Sequence, residues 1–418
     1  MRYVIIGNGA AGNAAAQAIR TRDPAAGLVI ISDEPEPAYY RPLITGLIEG
    51  GAAQDISCRQ RGETPPDAEL RLGKRIKDLD AGLRRVTFED GETLAYDRLL
   101  LATGAAAILP EIPGLPGAGT FALHTLADAR AIARAARGAK CAVVIGAGRV
   151  GLKAALALRR AGLDVVLVEQ GPHAVPLQYD AAAGRILARA LEAQGINFFF
   201  GQTLTEVRRE KDRIQGVALA GGRVLPGELI VAAVGVRANR ELAGKAGLRV
   251  NQGIVVDQWL RTSDPNIYAA GDAAESMDLL TGQNLVSGLW TNAVEMGRIA
   301  GRNMAGANQA YPGAWAVLNS LDVAGIPTVC IGLTNPPPGE GYRVQAGHRG
   351  NNYRKLVFHG EALVGALLVG DIDAAGVYAG LIKAKAQTVK IAAALEQPRR
   401  VLAAWLAGCK LKEGAGAA

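Results

Sequence analysis

Two short stretches of the chain carry glycines at a spacing that binds phosphate groups. In such a loop the first glycine makes a tight turn and the second lets the backbone approach a pyrophosphate. The third lets the next helix pack closely on the strand, and the start of that helix offers free N–H groups and a positive dipole end. Two complete motifs indicate that two dinucleotides, or two halves of two, are bound. The motifs are Gly7-x-Gly9-x-x-Gly12 and Gly146-x-Gly148-x-x-Gly151.

Acidic residues follow the next predicted strand after each motif. Asp33 and Glu34 follow the first of these strands, and Glu169 ends the second. A carboxylate at this place accepts hydrogen bonds from a ribose diol, and its charge repels a 2′-phosphate. Because residues 170–172 after Glu169 contain no Lys or Arg, the second motif favours NAD(H) over NADP(H).

The elements that must position these groups can be read from the pattern of apolar residues. Each motif lies between an apolar strand and an Ala-rich helix, so the sequence predicts two βαβ units. A Pro-rich stretch at 110–116 is typical of a domain crossing, and the segment after Tyr311-Pro312-Gly313 is predicted to be a separate domain. Further helices are predicted at 10–19, 292–304 and from 374, strands at 29–31, 99–102, 165–168, 229–234, 342–344, 356–359 and 362–369, a hairpin around Asp90-Gly91, and a surface loop at 59–67.

Length and composition describe a globular protein of several domains. The chain has 418 residues, of which 49% are hydrophobic, and no apolar run reaches the length of a membrane span. Because the chain is predicted to enter a strand at once, we expect no signal peptide. Its cysteines lie far apart without metal-ligand spacing, so we expect reduced cytoplasmic thiols, Cys141 in a strand core, and no metal site. The cysteines are Cys58, Cys141, Cys330 and Cys409.

The net charge of +7 is unevenly placed, since residues 330–418 hold eleven Lys and Arg against six Asp and Glu. A basic C-terminal segment could steer an acidic partner or a nucleic acid. It could equally be a solvated surface or a contact between subunits.

Several motifs in a fixed order resemble the two-dinucleotide-binding flavoproteins, a superfamily that includes the disulfide oxidoreductases. They are the two glycine motifs, the run Ala102-Thr103-Gly104, the run from Gly235, and Gly271-Asp272. Over about residues 1–315 the chain is similar to NADH-dependent rubredoxin and ferredoxin reductases and to the flavoprotein part of assimilatory nitrite reductase. The segments YYRPLITG and GLWTNAVEMGRIAG add a general likeness to the NADH-linked flavin subunit of phenylglyoxylate dehydrogenase.

This resemblance implies FAD at the first motif and NAD(H) at the second. It implies an α/β fold in which the NAD domain (111–234) is inserted in a discontinuous FAD domain (1–110 and 235–315). A small α+β domain at 316–418, of the interface or dimerisation type, completes the chain. The implied FAD residues are Gly7, Gly9, Ala10, Ala11, Gly12, Asp33 or Glu34, Arg41, Pro42, Ile76, Ala102, Thr103, Gly104, Gly271, Asp272, Asn292 and Ala293, and the implied NAD(H) residues are Gly146, Gly148, Arg149, Val150, Gly151, Glu169 and Gly235.

Two of these groups have roles that the resemblance specifies. Asp272 is expected to hydrogen-bond the ribityl chain of the flavin. The helix from Asn292 is expected to aim its N-terminus at the pyrimidine edge of the flavin, where its positive dipole end stabilises the anionic reduced form.

The chain also departs from its relatives near the expected flavin. Related ferredoxin reductases usually pair a Lys with a Glu at the places that are Gly46 and Lys153 here. We hypothesise that the cation near flavin N5 has moved to Lys153; the alternative is a lysine that extends from its helix to solvent. His124 stands where relatives tend to have an Arg near the flavin phosphates, and Trp290 either covers the flavin ring or is core.

The lack of cysteine near the start of the chain bears on the route that the electrons take. Disulfide reductases of this superfamily carry redox cysteines in the region that corresponds to residues 39–50, and this chain has no cysteine before Cys58. A thiol-based mechanism is therefore not expected, and electrons should leave directly from the flavin.

The sequence thus predicts an FAD-dependent NAD(H):acceptor oxidoreductase. The expected partner is an acidic iron–sulfur protein or subunit of the ferredoxin or rubredoxin kind, within a homodimer or a hetero-oligomeric complex in the cytoplasm, without nucleic acid or a membrane span. A finer hypothesis is the NAD-reducing subunit of a 2-oxoacid dehydrogenase complex. The alternatives are an NADH oxidase that reduces dioxygen, and a NADH-responsive flavoprotein of assembly or signalling that resembles apoptosis-inducing factor.

Overall fold

The structure, a computed structural model, describes residues 1–58, 64–65, 67–339, 341–349 and 352–385. Most of the surface loop predicted at 59–67, and Cys409, lie outside the described residues.

The described chain alternates strands and helices over its first 300 residues and is mainly β after that. Short 3-10 helices lie at Arg41–Leu47, Ala53–Ile56 and Gly271–Ala273. The helices are α1 (Ala10–Arg22), α2 (Leu126–Ala136), α3 (Arg149–Arg160), α4 (Ala181–Glu192), α5 (Glu241–Lys245), α6 (Trp290–Met304) and α7 (Ala375–Lys383). The strands are β1 (Arg2–Ile6), β2 (Gly27–Ile31), β3 (Glu69–Arg71), β4 (Ile76–Asp80), β5 (Arg85–Phe88), β6 (Thr93–Ala95), β7 (Arg98–Leu101), β8 (Ala105–Ala107), β9 (Thr120–Ala122), β10 (Cys141–Ile145), β11 (Asp164–Glu169), β12 (Ile196–Phe200), β13 (Leu204–Glu210), β14 (Arg213–Leu219), β15 (Val224–Pro226), β16 (Leu229–Ala232), β17 (Val236–Ala238), β18 (Ile254–Val255), β19 (Ile267–Ala269), β20 (Ala274–Met277), β21 (Asn284–Val286), β22 (Leu318–Val323), β23 (Ile326–Gly332), β24 (Tyr342–Arg349), β25 (Asn352–His359) and β26 (Ala362–Val369).

The chain divides into two compact units. The first unit comprises Met1–Ile145, Ala157–Asp164 and Leu204–Ala316. The second comprises Gly146–Leu156, Val165–Thr203 and the described residues from Val317 onward. The predicted domain boundaries stay predictions.

A five-stranded parallel sheet organises the first unit, in the order β19-β7-β1-β2-β3. Its central strands are fully buried apolar runs, as a parallel sheet covered on both faces requires. Residues Ile5, Ile30 and Leu100 have no exposed surface. The carboxyl ends of these strands meet at one edge, where the first glycine motif follows β1, so ligands are expected there.

Helices α1 and α6 pack unusually closely in the first unit, because glycines of α6 lie against the backbone of α1. A Cβ on Gly297 would lie 2.1 Å from the carbonyl oxygen of Ala11, and a Cβ on Gly301 would lie 2.4 Å from that of Ala15. Real Cβ atoms essentially never come this close. The small side chains therefore fix how near the two helix axes can be.

The second unit holds the parallel pair β11-β12 and a five-stranded antiparallel sheet in the order β22-β23-β26-β25-β24. Strand β26 is almost completely buried and lies in the middle of this sheet. Helix α7 follows it, with Tyr378 and Leu381 buried.

The predicted α/β class is confirmed, and most predicted elements lie within a few residues of their observed bounds. The helix predicted at 292–304 begins two residues earlier, at Trp290. Cys141, predicted as strand core, opens β10 and is only half-buried. Strands β22 and β23 had no prediction, since their apolar residues are broken by Asp322, Gly325 and Pro327.

Within the described residues, no helix is both long enough and apolar enough to cross a bilayer.

Gly301→Ala should lower the melting temperature, because the new methyl group meets the Ala15 backbone, which cannot move without shifting α1. Overpacking of this kind costs about 1–3 kcal/mol. The same substitution at Gly380 in α7, where a Cβ meets nothing within 4 Å, is the matched control and should be neutral or slightly stabilising. Thermal unfolding of both variants tests this, and equal melting temperatures would contradict the close packing of α1 on α6.

Candidate dinucleotide sites

The first glycine loop joins β1 to α1, and each glycine has a distinct steric reason. Gly7 has φ of +122°, and a Cβ there would lie 2.0 Å from the Ala102 carbonyl oxygen. A Cβ on Gly12 would lie 1.9 Å from the Gly7 carbonyl oxygen. A Cβ on Gly9 meets nothing within 4 Å, so the backbone of Gly9 is the part of the loop that a ligand can approach.

Three predicted FAD segments converge beside this loop. A Cβ on Gly271 would lie 3.1 Å from the Ala11 side chain and 3.6 Å from that of Ala293. Gly271 itself has φ of +75° and opens the 3-10 helix that carries Asp272. The N-termini of α1 and α6 therefore meet at the Gly271-Asp272 turn, although these residues are far apart in sequence.

Asp272 is a carboxylate in a poorly hydrated place. Burial raises its pKa to about 6, and the nearby Arg41 opposes this rise only in part. Apart from its own backbone N–H, no described residue donates a hydrogen bond to the Asp272 carboxylate. A carboxylate held in this way suits a ligand that brings hydroxyl donors.

Arg41 belongs to a half-buried polar cluster in which protein groups hydrogen-bond one another. Its guanidinium donates to Glu34 at 2.6 Å and to the His124 carbonyl oxygen at 2.7 Å. The Tyr39 hydroxyl also donates to Glu34, at 2.5 Å. The Glu34 carboxylate thus accepts hydrogen bonds from both Tyr39 and Arg41. Asp33, in contrast, is exposed, and its carboxylate lies 3.5 Å from the Arg75 guanidinium. Of the two predicted ribose acceptors, Asp33 has the more accessible carboxylate.

Thr103 and His124 both interact with neighbouring residues of the chain. The Thr103 hydroxyl donates to the Asn239 carbonyl oxygen, and the Asn239 amide donates back to the Thr103 carbonyl oxygen. Burial lowers the pKa of His124, and Arg41 lowers it further. Both effects disfavour the charged imidazolium form of His124.

Sequence reasoning missed Asn13, which braces the first glycine loop from inside α1. Its amide donates to the Gly9 carbonyl oxygen at 2.9 Å and to both oxygens of Asn8. The Thr64 hydroxyl donates to the Asn13 side-chain oxygen at 2.6 Å. A polar residue directly after the third glycine, inside an Ala-rich helix, was the available signal.

At the start of α6, backbone N–H groups rather than the Asn292 side chain are available to a ligand. The Asn292 amide donates to Ser287 at 2.7 Å and to the Trp315 carbonyl oxygen at 2.8 Å, so its side chain is engaged within the protein. The Ala293 N–H donates to the Leu289 carbonyl oxygen. The N–H groups that precede Ala293 in the helix are those that a ligand could use. Trp290 lies against Tyr40, with ring centroids 5.3 Å apart, and both rings are half-buried.

The second glycine loop lies in the second unit and is bound to the acid that follows it. The Ala147 N–H donates to Glu169 Oε2 at 2.6 Å, and the Gly171 N–H donates to Glu169 Oε1 at 2.6 Å. Each carboxylate oxygen keeps a lone pair for a further donor. A Cβ on Gly148 meets nothing within 4 Å, which leaves this backbone open to a pyrophosphate, as at Gly9.

Two cations stand one turn apart at the start of α3. Arg149 is half-buried, and burial lowers its pKa; among the described residues it makes no hydrogen bond and no ion pair. Burial also lowers the pKa of Lys153, with a second contribution from Arg149, while Asp322 acts in the opposite direction. A half-buried guanidinium without an ion-pair partner suits an anionic ligand.

The other predicted residues have simpler surroundings. They are Ala10 at the start of α1, Pro42 in the first 3-10 helix, Ile76 at the start of β4, Ala102 and Gly104 after β7, Val150 on the exposed side of α3, Gly151 buried in α3, and Gly235 with φ of +123° after β16. Within the described residues, no cluster of His, Cys, Asp and Glu could hold a metal ion.

Both loops fit dinucleotides, because the backbone is open at Gly9 and Gly148 and each loop has a charged side chain, Asp272 or Arg149, available for a ligand. Asp272 offers an acceptor for hydroxyl groups, and the open glycines offer N–H groups to phosphates.

Comparisons with known proteins agree with this geometry. The sequence profile of the pyridine nucleotide-disulphide oxidoreductases matches residues 1–297, and that of the rubredoxin NAD+ reductase C-terminal domain matches 318–386. The chain is 35% identical to an NADH oxidase of Methanocaldococcus jannaschii, over 77% of this chain and 73% of that one. It is 28% identical to the epsilon subunit of NADH-dependent phenylglyoxylate dehydrogenase from Aromatoleum evansii, over 91% of both chains.

Among solved structures, the ferredoxin reductase of the CYP199A2 system from Rhodopseudomonas palustris is similar, with a TM-score of 0.80 and 28% identity. That similarity covers 88% of this chain and 91% of the other. The chain spans about half the length of the nitrate and nitrite reductase relatives from Bacillus subtilis that it matches, 48% and 46% respectively.

The chain belongs to the pyridine nucleotide-disulphide oxidoreductase family. It is an NAD(H)-linked, FAD-dependent oxidoreductase of the rubredoxin and ferredoxin reductase type. The predicted family, fold class, enzyme class and cofactors are therefore confirmed.

Asp272→Asn should make the FAD-free protein more stable at neutral pH. Because the folded protein binds the Asp272 proton more tightly than the unfolded chain does, stability falls as the pH rises from about 4 to about 6. At pH 7.5 the neutral amide should therefore gain about 1–3 kcal/mol over the wild type. At pH 4 the two should be equally stable, and FAD affinity should be lower in the variant. Urea unfolding of the FAD-free forms at both pH values measures this, and a wild type equal to the variant at pH 7.5 would contradict it.

Proposed function

We propose that this chain moves electrons between NAD(H) and an iron–sulfur protein or subunit by way of FAD. Bound FAD would accept the hydride of NADH as a pair of electrons and pass them on one at a time. Each NADH oxidised would then reduce two equivalents of a one-electron carrier and release one proton.

In this proposal the first glycine loop holds FAD. Gly9 gives its backbone to the pyrophosphate, and Asp33 accepts from the ribose, since Glu34 is committed to Arg41 and Tyr39. Asp272 accepts from the ribityl hydroxyls. The N-terminus of α6 provides N–H groups and a positive dipole end for the flavin ring.

The second glycine loop holds NAD(H) in the proposal. Glu169 accepts the ribose hydroxyls with the lone pairs that Ala147 and Gly171 leave free. Its negative charge disfavours the 2′-phosphate of NADP(H). Arg149 has no partner among the described residues and would compensate a nucleotide phosphate.

The absence of cysteine from residues 39–50 is the observation that carries the choice of reaction. A disulfide reductase needs a thiol pair beside the flavin, and the described cysteines Cys58, Cys141 and Cys330 form no disulfide with one another. In this proposal electrons therefore leave directly from the flavin rather than through a thiol pair in residues 39–50. Free thiols also support a cytoplasmic location, where thiols stay reduced.

Relatives support an iron–sulfur partner. The C-terminal match is to rubredoxin reductases, and the phenylglyoxylate dehydrogenase subunit matches this chain over nearly the full length of both. The finer proposal is accordingly an NAD-linked subunit of a 2-oxoacid dehydrogenase complex. The basic balance of residues 330–418 favours an acidic partner, in a homodimer or a hetero-oligomer.

The relative at 35% identity favours a second candidate, an NADH oxidase that transfers the electrons to dioxygen. The two candidates differ in what oxidises the reduced protein.

Anaerobic reduction by NADH, followed by mixing with either oxidised rubredoxin or ferredoxin or with air-saturated buffer, separates them. We expect reoxidation by the iron–sulfur protein to be at least about tenfold faster than by dioxygen, and to weaken with added salt because opposite charges steer the partners. Flavin absorbance in a stopped-flow instrument follows both reactions. Rapid reoxidation by air and none by the iron–sulfur proteins would overturn the first candidate in favour of the oxidase.

Lys153→Met tests the proposed cation near flavin N5. If Lys153 stabilises the reduced flavin, its loss should lower the flavin midpoint potential and slow reduction by NADH. Lys140→Met, at the surface-exposed start of the segment before β10, is the control and should change neither. A flavin potential and hydride-transfer rate in Lys153→Met equal to those of the wild type would remove Lys153 from the site and leave it a solvent-directed lysine.

A further inference from the structure

Residues 171–180, here named the strap, connect β11 to α4 in the second unit. One end of the strap is bound to the second glycine loop. The Gly171 N–H donates to Glu169 Oε1, and the Val175 N–H donates to the Ala147 carbonyl oxygen at 2.9 Å. The Ala147 N–H in turn donates to Glu169 Oε2. The glycine loop, the acid and the first half of the strap thus form one hydrogen-bonded group.

The other end of the strap is bound to the antiparallel sheet of β22–β26. The Tyr179 and Thr328 hydroxyls are 2.5 Å apart, and the Thr334 hydroxyl donates to the Gln178 carbonyl oxygen at 2.6 Å. Neither Tyr179 nor Thr328 has more than 1% of its surface exposed.

Asp180 is the strongest of these attachments, because it bears a charge and three kinds of donor surround it. The Tyr353 hydroxyl donates to Asp180 Oδ2 at 2.6 Å, and Lys355 Nζ lies 3.1 Å from the same oxygen. The Ala183 N–H donates to Oδ1, so Asp180 also caps α4. Burial opposes the charge, yet these donors together hold the pKa of Asp180 below its ordinary value.

Between the two ends the strap is strained. Val175 has φ of +51° and is 3% exposed. A β-branched residue rarely adopts this left-handed conformation and keeps it only when its surroundings impose it. The surroundings here are the hydrogen bond from the Val175 N–H to Ala147 and the bonds that hold the far end of the strap to the antiparallel sheet.

We propose that Tyr353 and Lys355 of the antiparallel sheet are positioning residues for the NAD(H) site. By fixing Asp180 they hold the strap in its strained conformation, and the strap holds Glu169 and the backbone of Ala147 where a nucleotide meets them. The antiparallel sheet therefore contributes to coenzyme affinity without touching the coenzyme. This inference rests on the proposed function of Glu169 and the second glycine loop.

Tyr353→Phe is the direct test, because it removes one hydroxyl and little volume. The matched control is Tyr378→Phe in α7 of the same unit, a fully buried tyrosine outside the strap whose hydroxyl accepts a hydrogen bond from Arg354 at 3.5 Å. We expect Tyr353→Phe to raise KM for NADH about three- to tenfold, with kcat and FAD content unchanged; this is less than the full effect of one hydrogen bond to a charged group, because the contact reaches the nucleotide only through the strap. Tyr378→Phe should change none of the three.

Amide hydrogen exchange gives a readout that a purely structural contact would not change. By linkage, if the sheet favours nucleotide binding, NAD+ must in return protect the sheet. In the FAD-loaded wild type, NAD+ should slow exchange in residues 353–357, and Tyr353→Phe should reduce this protection. The inference would be overturned if Tyr353→Phe left KM for NADH unchanged, or if NAD+ did not slow exchange of residues 353–357 in the wild type.

Glu169→Gln separates failure of this inference from failure of the site assignment. If Glu169→Gln leaves KM for both NADH and NADPH unchanged, the nucleotide does not bind at this loop and the underlying assignment is wrong. If Glu169→Gln weakens NADH binding while Tyr353→Phe does not, the site stands and only the positioning role is refuted.

Discussion

The close contact between α1 and α6 is the constraint on which the first unit depends. Gly297 and Gly301 lie against the Ala11 and Ala15 backbones at distances that exclude any Cβ. With the helices this near, their N-termini reach the Gly271-Asp272 turn, where Gly271 lies between Ala11 and Ala293. Two positive dipole ends and one poorly hydrated carboxylate are thus gathered at the end of a buried parallel sheet. Such an arrangement is costly for the protein alone and becomes favourable with a ligand that carries phosphates and hydroxyls.

The sequence predicted the parts of the fold that depend on local spacing. Both glycine loops, their strands and the acid at Glu169 follow from short motifs, and the structure has the predicted strands and helices around them. The order of the motifs along the chain was sufficient to predict the family and its cofactors. Local spacing was sufficient there because a turn, a strand and a helix N-terminus are specified within about a dozen residues.

Side-chain partners over long sequence distances could not be predicted in the same way. The commitment of Glu34 to Arg41 and Tyr39, and of Asn292 to Trp315, depends on how the chain folds back on itself. The raised pKa of Asp272 is set by burial among elements that meet only in the folded protein. The contact of Asp180 with Lys355 joins residues that no local motif relates. For the same reason the strap and its strained Val175 had no signal in the sequence.

The central proposal is that the electrons of NADH pass through FAD without a redox-active thiol pair in residues 39–50. An anaerobic titration of the purified FAD-loaded protein with NADH tests it most directly, with flavin absorbance and free thiols measured at each addition. Because no cysteine lies in residues 39–50, we predict complete flavin reduction with about one NADH per FAD and no change in the thiol count. A requirement for about two NADH per FAD, with the appearance of two new thiols, would contradict the claim.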